Sequence, residues 1–192
     1  NPDIETVAGP VDPEVLVLGT WNQQGKCTGC VVSYACHATT SPGGISANWI
    51  YYMEQTIRGA MGPDCVVVFL AGDSGDVTQE DNLSPHRNRA GEEWARYVGA
   101  RVGAEAVKTL LSMPRGPLTP VNASARVLKI DRRKPDPLRV TESYDVVGQG
   151  IEAAGSTRWT FAKEIVLLDA LIAKYPSVDA EIQVIQVGPA VF

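Results

Sequence analysis

The 192 residues are 44% hydrophobic and 20% charged, which is enough apolar material for one good core and the balance of an ordinary globular chain. A formal net charge of −5, with no basic stripe, argues against nucleic acid or an anionic membrane as partner, because both need cationic surface to neutralise phosphate. No stretch reaches the roughly eighteen apolar residues of a membrane span, and the opening NPDIETVAGPVDP lacks the basic and apolar regions of a signal peptide, as a mature secreted chain and a cytoplasmic one both would.

In chain order, EVLVLGTW alternates and is rich in Val and Leu, so it predicts a strand; NQQGK is a turn and CTGCVVSYAC the returning strand, together a hairpin over residues 14–36. The second strand is apolar on both faces around Val31 and Val32, as inside a covered sheet. After the TTSPGG loop, Ser46 is a helix cap, and Trp49, Ile50, Met53, Ile57 and Ala60 form one apolar face up to Met61. CVVVFLA, residues 65–71, has the continuous apolar character of a central strand buried on both faces, and it stops abruptly in GDSGDVTQEDN.

From Arg89 to Met113, Trp94, Val98, Val102, Ala106 and Leu110 recur every fourth residue and predict a long amphipathic helix that PRGP terminates. VNASARVLKIDRR reads as a strand with a solvated face, while KPDPLRVTESYDVVGQG shows no sustained period and reads as a long excursion. Trp159 to Tyr175 is a further helix with Ile165, Leu168, Leu171 and Ile172 as its stripe, and AEIQVIQVGPAVF is a closing strand. The order strand, strand, helix, strand, helix, strand, helix, strand predicts an α/β fold, a mixed β-sheet covered by helices. The start at Asn1 in place of Met hints at a processed or trimmed chain, and a strand running to the chain end without a closing turn suggests that the fold continues elsewhere.

The four cysteines are Cys27, Cys30, Cys36 and Cys65. Cys27 and Cys30 form a CxxC, but a redox pair opens a helix, whereas this one leads into a β-branched run, and no second CxxC completes a metal site. Core or hairpin cysteines are the favoured reading, with a disulfide between any pair open. Asn122-Ala123-Ser124 fits a glycosylation acceptor, a triplet that chance supplies easily.

Loops at strand ends on one edge of an α/β sheet are where sites form, because rigid strands hold the backbone while loop side chains converge. His37 lies just past one strand, and residues 73–82 lie just past another. An imidazole fixed at a strand end suits zinc; the bland alternative is a histidine hydrogen-bonded to nearby backbone. His86, in LSPHRNR, has no such framing and reads as a solvated loop residue. The acidic loop does not fit an EF-hand and has no lysine for a phosphate cradle, so it is either a solvated turn or one in which Ser74 or Thr78 presents a hydroxyl to a substrate.

Taken together and in order, GPVDPEVLVL, GCVVSYACHATTSPGGISANW, VVVFLAGDSGDVTQEDN and AGEEWARYVGARVGAEAVKTL resemble the middle of the neutral/alkaline non-lysosomal ceramidase family, clearly over residues 9–113 and more weakly to 192. The resemblance implies that residues 1–192 are the central segment of a ceramidase-like catalytic domain. It implies that His37, in the A-x-H-x-T segment, is a ligand of a catalytic zinc. The family's glycine-rich turn, which carries the active-site hydroxyl, falls on Gly75, Asp76, Val77 and Thr78, with Thr78 where a serine would stand and Gln79-Glu80 in place of Pro-Asn. Asp73 and Asp76 would orient that turn or hydrogen-bond its neighbours.

The family's other zinc ligands, an upstream histidine and a downstream glutamate with a tyrosine, fall in segments that this sequence does not contain. The resemblance therefore implies a zinc-dependent hydrolase of amide bonds, acting on a small amide or acyl-amide, whose further ligands come from a companion polypeptide or other chain segments. It also implies a secreted or periplasmic location. The competing expectations are a non-catalytic binding or structural subunit on the same scaffold, for which Thr78 and the missing ligands speak, and a hydrolase with a different nucleophile.

Overall fold

The computed structural model of the protein describes residues 5–80, 83–84 and 90–191. The chain is mixed α/β and divides into two compact units, which meet in sequence at Gly116 and Pro117. In place of one mixed sheet there are two sheets of three strands each, one per unit. His86 and Asp81 lie outside the described residues.

The first unit begins with the expected hairpin, β1 (Leu16–Trp21) and β2 (Cys27–Tyr34), paired antiparallel. Helix α1 (Asn48–Met61) then crosses to β3 (Val66–Ala71), which lies parallel to β2, and α2 (Glu92–Ser112) follows. The helices pack where their spacing says they should: Trp49, Met53 and Ile57 of α1 and Val98, Val102, Ala106 and Leu110 of α2 are all buried in one cluster with Val32. Ala60, placed on the same α1 stripe, is exposed instead, and the neighbouring Met61 makes the last contact of this helix with the core. α1 and α2 approach so closely that a Cβ added at Gly99 would lie 2.1 Å from the Trp49 carbonyl oxygen, and one at Gly103 would lie 2.7 Å from the Thr56 Cβ. Only hydrogen fits at these two positions.

β3 is an edge strand, not a central one. Val67 and Phe69 pack against the core cluster, whereas Val66, Val68 and Leu70 are exposed on the opposite face at 63%, 46% and 39%. A continuous apolar run calls for cover on both faces; among the described residues of this unit, helices cover one.

The second unit is a long antiparallel hairpin of β4 (Val121–Asp131) with β5 (Ser177–Val187), extended by β6 (Ala190–Val191). The end of the chain therefore does contain a turn, in which Gly188 adopts a φ of 59° and its N–H bonds the Pro120 carbonyl. Residues expected to be an excursion form α3 (Pro137–Gly148): the Asp136 carboxylate accepts from the Leu138 and Arg139 amides, and Pro137 supplies a preset φ at the first helical position. That Asp-Pro pair was the readable signal, hidden because only Ser143 and Val146 of α3 are buried and no apolar stripe develops. α4 (Ile151–Ala154) and α5 (Ser156–Lys174) complete the unit, with Ile165, Leu168 and Ile172 half-buried but Leu171 exposed. Among the described residues, no helix is long and apolar enough to cross a membrane.

Candidate functional site

β2 and β3 run parallel with Tyr34 opposite Ala71 at their ends, so the loops that follow them leave the sheet side by side. Backbone hydrogen bonds then join the loops. The His37 amide donates to the Val77 carbonyl at 2.9 Å, and the Gly72 amide donates to the Tyr34 carbonyl at 3.2 Å. The His37 ring adds a third link, from Nδ1 to the Ser74 carbonyl. A carbonyl oxygen can only accept, so Nδ1 is the donor in this link, and in the neutral imidazole the lone pair then belongs to Nε2.

The other side of the His37 peptide is held by Trp49, whose indole N–H donates to the His37 carbonyl at 3.0 Å. Trp49 is fully buried and stands edge-on to Phe69, with ring centroids 5.2 Å apart. Three residues further on, buried Thr40 donates its hydroxyl to Asn48 Oδ1 at 2.6 Å, and its carbonyl accepts the Gly91 amide at the same distance. Asn48 has a φ of 58°, a left-handed geometry that asparagine tolerates, and its side chain also takes the Trp49 amide at 2.9 Å. The residue at the cap position of α1 is Ala47 and not Ser46, and it makes no side-chain cap bond; the Ser46 hydroxyl instead accepts the Asn48 amide at 3.1 Å, one residue further out. The strand end, the loop and the start of α1 are thereby locked around an exposed imidazole.

Thr78 sits across from Thr39, with their hydroxyl oxygens 3.1 Å apart, and both reach the Gln79 side-chain carbonyl, at 3.2 Å from Thr78 and 3.1 Å from Thr39. All three groups are neutral, so nothing in this cluster acts as a base toward the Thr78 hydroxyl. Asp73 and Asp76 are exposed, and neither carboxylate makes a hydrogen bond or ion pair among the described residues, so the turn is oriented by its backbone links to His37 instead. Beside Thr78 and Gln79 lies a cavity of about 730 Å³, walled also by Tyr34, Cys36, Trp94 and Arg101.

Burial pushes the Cys36 thiol above its ordinary pKa, and it donates weakly to the His37 carbonyl at 3.6 Å, so it is a buried thiol and not a reactive thiolate. Burial also raises the Tyr34 phenol, with Cys36 adding to the effect and Arg101 opposing it. Among the described residues, no three His, Cys, Asp or Glu side chains cluster as a metal site would require. Residue-level reasoning missed Thr39 and Trp49 as supports of the site. Thr39 stood in the A-x-H-x-T segment, and Trp49 was legible only as a core residue.

No family model matches the sequence, and neither does any curated protein. Among solved structures, neutral ceramidase from Pseudomonas aeruginosa superposes with a TM-score of 0.60 at 19% identity, over 98% of this chain and 35% of that one. At that identity the likeness is one of fold: the chain has a ceramidase-like fold, and it spans about a third of the length of the structure it matches.

Proposed function

We propose that this chain is the central segment of a ceramidase-like hydrolase of amide bonds, with His37 as one ligand of a catalytic zinc. The supporting observation is the link from His37 Nδ1 to the Ser74 carbonyl on an exposed ring between two strand tips, which in the neutral imidazole leaves Nε2 as the lone-pair donor. A ligating histidine that donates its second nitrogen to a backbone carbonyl is the usual arrangement in zinc sites. This ring fits one corner of such a site. A catalytic zinc takes three protein ligands, and the reading assigns the others to a companion polypeptide or further chain segments.

Zinc, when bound, supplies Lewis-acid polarisation of the scissile carbonyl. Thr78 presents its hydroxyl to a small amide or acyl-amide lying in the adjoining cavity, with Thr39 and Gln79 fixing the direction of that hydroxyl. Asp73 and Asp76 face outward on the same turn, where they can bond substrate or neighbouring segments. The hydroxyl of Thr78 bonds only the neutral side chains of Thr39 and Gln79, which favours a second reading, a binding subunit that keeps the scaffold without the chemistry.

Zinc content and amide hydrolysis of the native material, with any companion polypeptides retained, separate the two. The hydrolase reading expects stoichiometric zinc that is lost in His37→Ala. It also expects a drop in rate on the order of 10²-fold or more in Thr78→Ala, with Thr78→Ser retaining activity. A metal-free assembly, or zinc that persists in His37→Ala, overturns the assignment.

A further inference from the structure

Three of the four cysteines meet at the start of the first sheet. By strand alternation Cys27 and Cys30 belong on opposite faces. The pairing of β1 with β2 slips, however, so that Thr20 faces Gly29 and Trp21 faces Cys27, leaving Thr28 as an extra residue. This bulge turns Cys27 to the same side as Cys30, and both are buried, at 5% and 4% exposed. Cys65, immediately before β3 and 2% exposed, completes the group, with its sulfur 3.7 Å from that of Cys27. All four thiols are free.

We propose that Cys27 and Cys65 are a redox-responsive pair that closes to a disulfide in an oxidising environment and staples the first residue of β2 to the entry of β3. The sulfurs are already neighbours, and closure requires a shift of well under one strand spacing. The pair also sits at the frayable end of the sheet: the preceding residues, Lys26 and Asp64, form an exposed ion pair at 2.7 Å over the same junction. Opening there gives a small disulfide such as oxidised glutathione access to one thiol.

The chemistry balances. One cysteine sulfur, having lost its proton, attacks the glutathione disulfide, and that bond breaks to release one glutathione thiol and leave a mixed disulfide. The second cysteine attacks this intermediate and expels the second glutathione thiol. Two protons and two electrons pass from the cysteines to glutathione. Burial raises the Cys65 thiol to about 11, so attack by that sulfur is slow, and the burial of both residues shields the bond once it is made. Cys30 lies beside the pair as the competing partner.

The staple closes a loop spanning 38 positions, so it should raise the melting temperature of the chain on the order of 10 °C, and dithiothreitol should reverse the rise. The experiment equilibrates the whole chain with reduced or oxidised glutathione in mild urea, alkylates it, and maps cross-linked peptides by mass. The expected result is loss of two alkylatable thiols, a peptide joining Cys27 to Cys65, and a melting rise that survives Cys30→Ala but not Cys65→Ala. Four thiols remaining after oxidation, or a cross-link from Cys27 to Cys30, overturns the proposal. Mapping on the unaltered chain decides the matter even if a cysteine variant fails to fold.

Discussion

Trp49 links the hydrophobic core to the candidate site: its ring is buried against Phe69, and its N–H carries the His37 carbonyl. Trp49→Phe keeps an aromatic ring in the core and removes the donor, so it should cost about 1–3 kcal/mol and loosen the loop that aims the imidazole. If the site is as proposed, urea unfolding will register that loss while zinc content or activity falls further than stability alone explains. Trp49→Ala, which empties the site as well, should cost about 3–5 kcal/mol. Thr78 is tied differently: its hydroxyl is held only by neutral groups, so replacing it leaves stability nearly unchanged.

Between elements, the contact of α1 with α2 turns on two glycines. Gly99→Ala drives a Cβ to 2.1 Å from the Trp49 carbonyl oxygen and 2.7 Å from the Tyr52 Cβ, so the helices must separate. A loss of about 1–3 kcal/mol is the minimum expected in denaturant unfolding, and failure to fold is the upper limit. Gly59→Ala is the control. It lies on the exposed side of α1 with no atom within 4 Å of the added Cβ, and it should stabilise by about 0.5–1 kcal/mol through helix propensity. A Gly99→Ala chain as stable as the parent sinks the packing argument. The same close approach holds Trp49 in place, so element packing and site geometry are coupled.

For the molecule as a whole, the buried thiols make stability sensitive to alkali. Burial holds Cys30 at about 12 and Cys65 at about 11 against an ordinary thiol's 9.0. The folded chain therefore keeps protons that the unfolded chain sheds near pH 9. Below pH 9 this contribution is complete; between pH 9 and about 12 it is progressively lost, because unfolding then releases protons. Reduced protein should show a falling urea midpoint over that window, and the fall should flatten in Cys30→Ala. A slope unaffected by that replacement would falsify the assignment to these thiols. The exposed apolar faces act at the same scale: Val66, Val68 and Leu70 on β3, and Ile182 and Val184 on β5, make one face of each sheet apolar where water reaches it.

Local pattern alone determined the hairpin, α1, β3, α2, β4 and β5, since period and turn residues act within a few positions of the chain. It also marked His37 and the 73–78 turn as strand-tip residues, and their resemblance to a known family supplied candidate roles. Tertiary structure decided the rest. The parallel register of β2 and β3 put Ser74 and Val77 on His37, and the bulge at Thr28 gathered the cysteines. The same folding separated two sheets where one was expected and placed β3 at an edge. These outcomes depend on pairing between residues far apart in the chain, which a one-dimensional period does not encode.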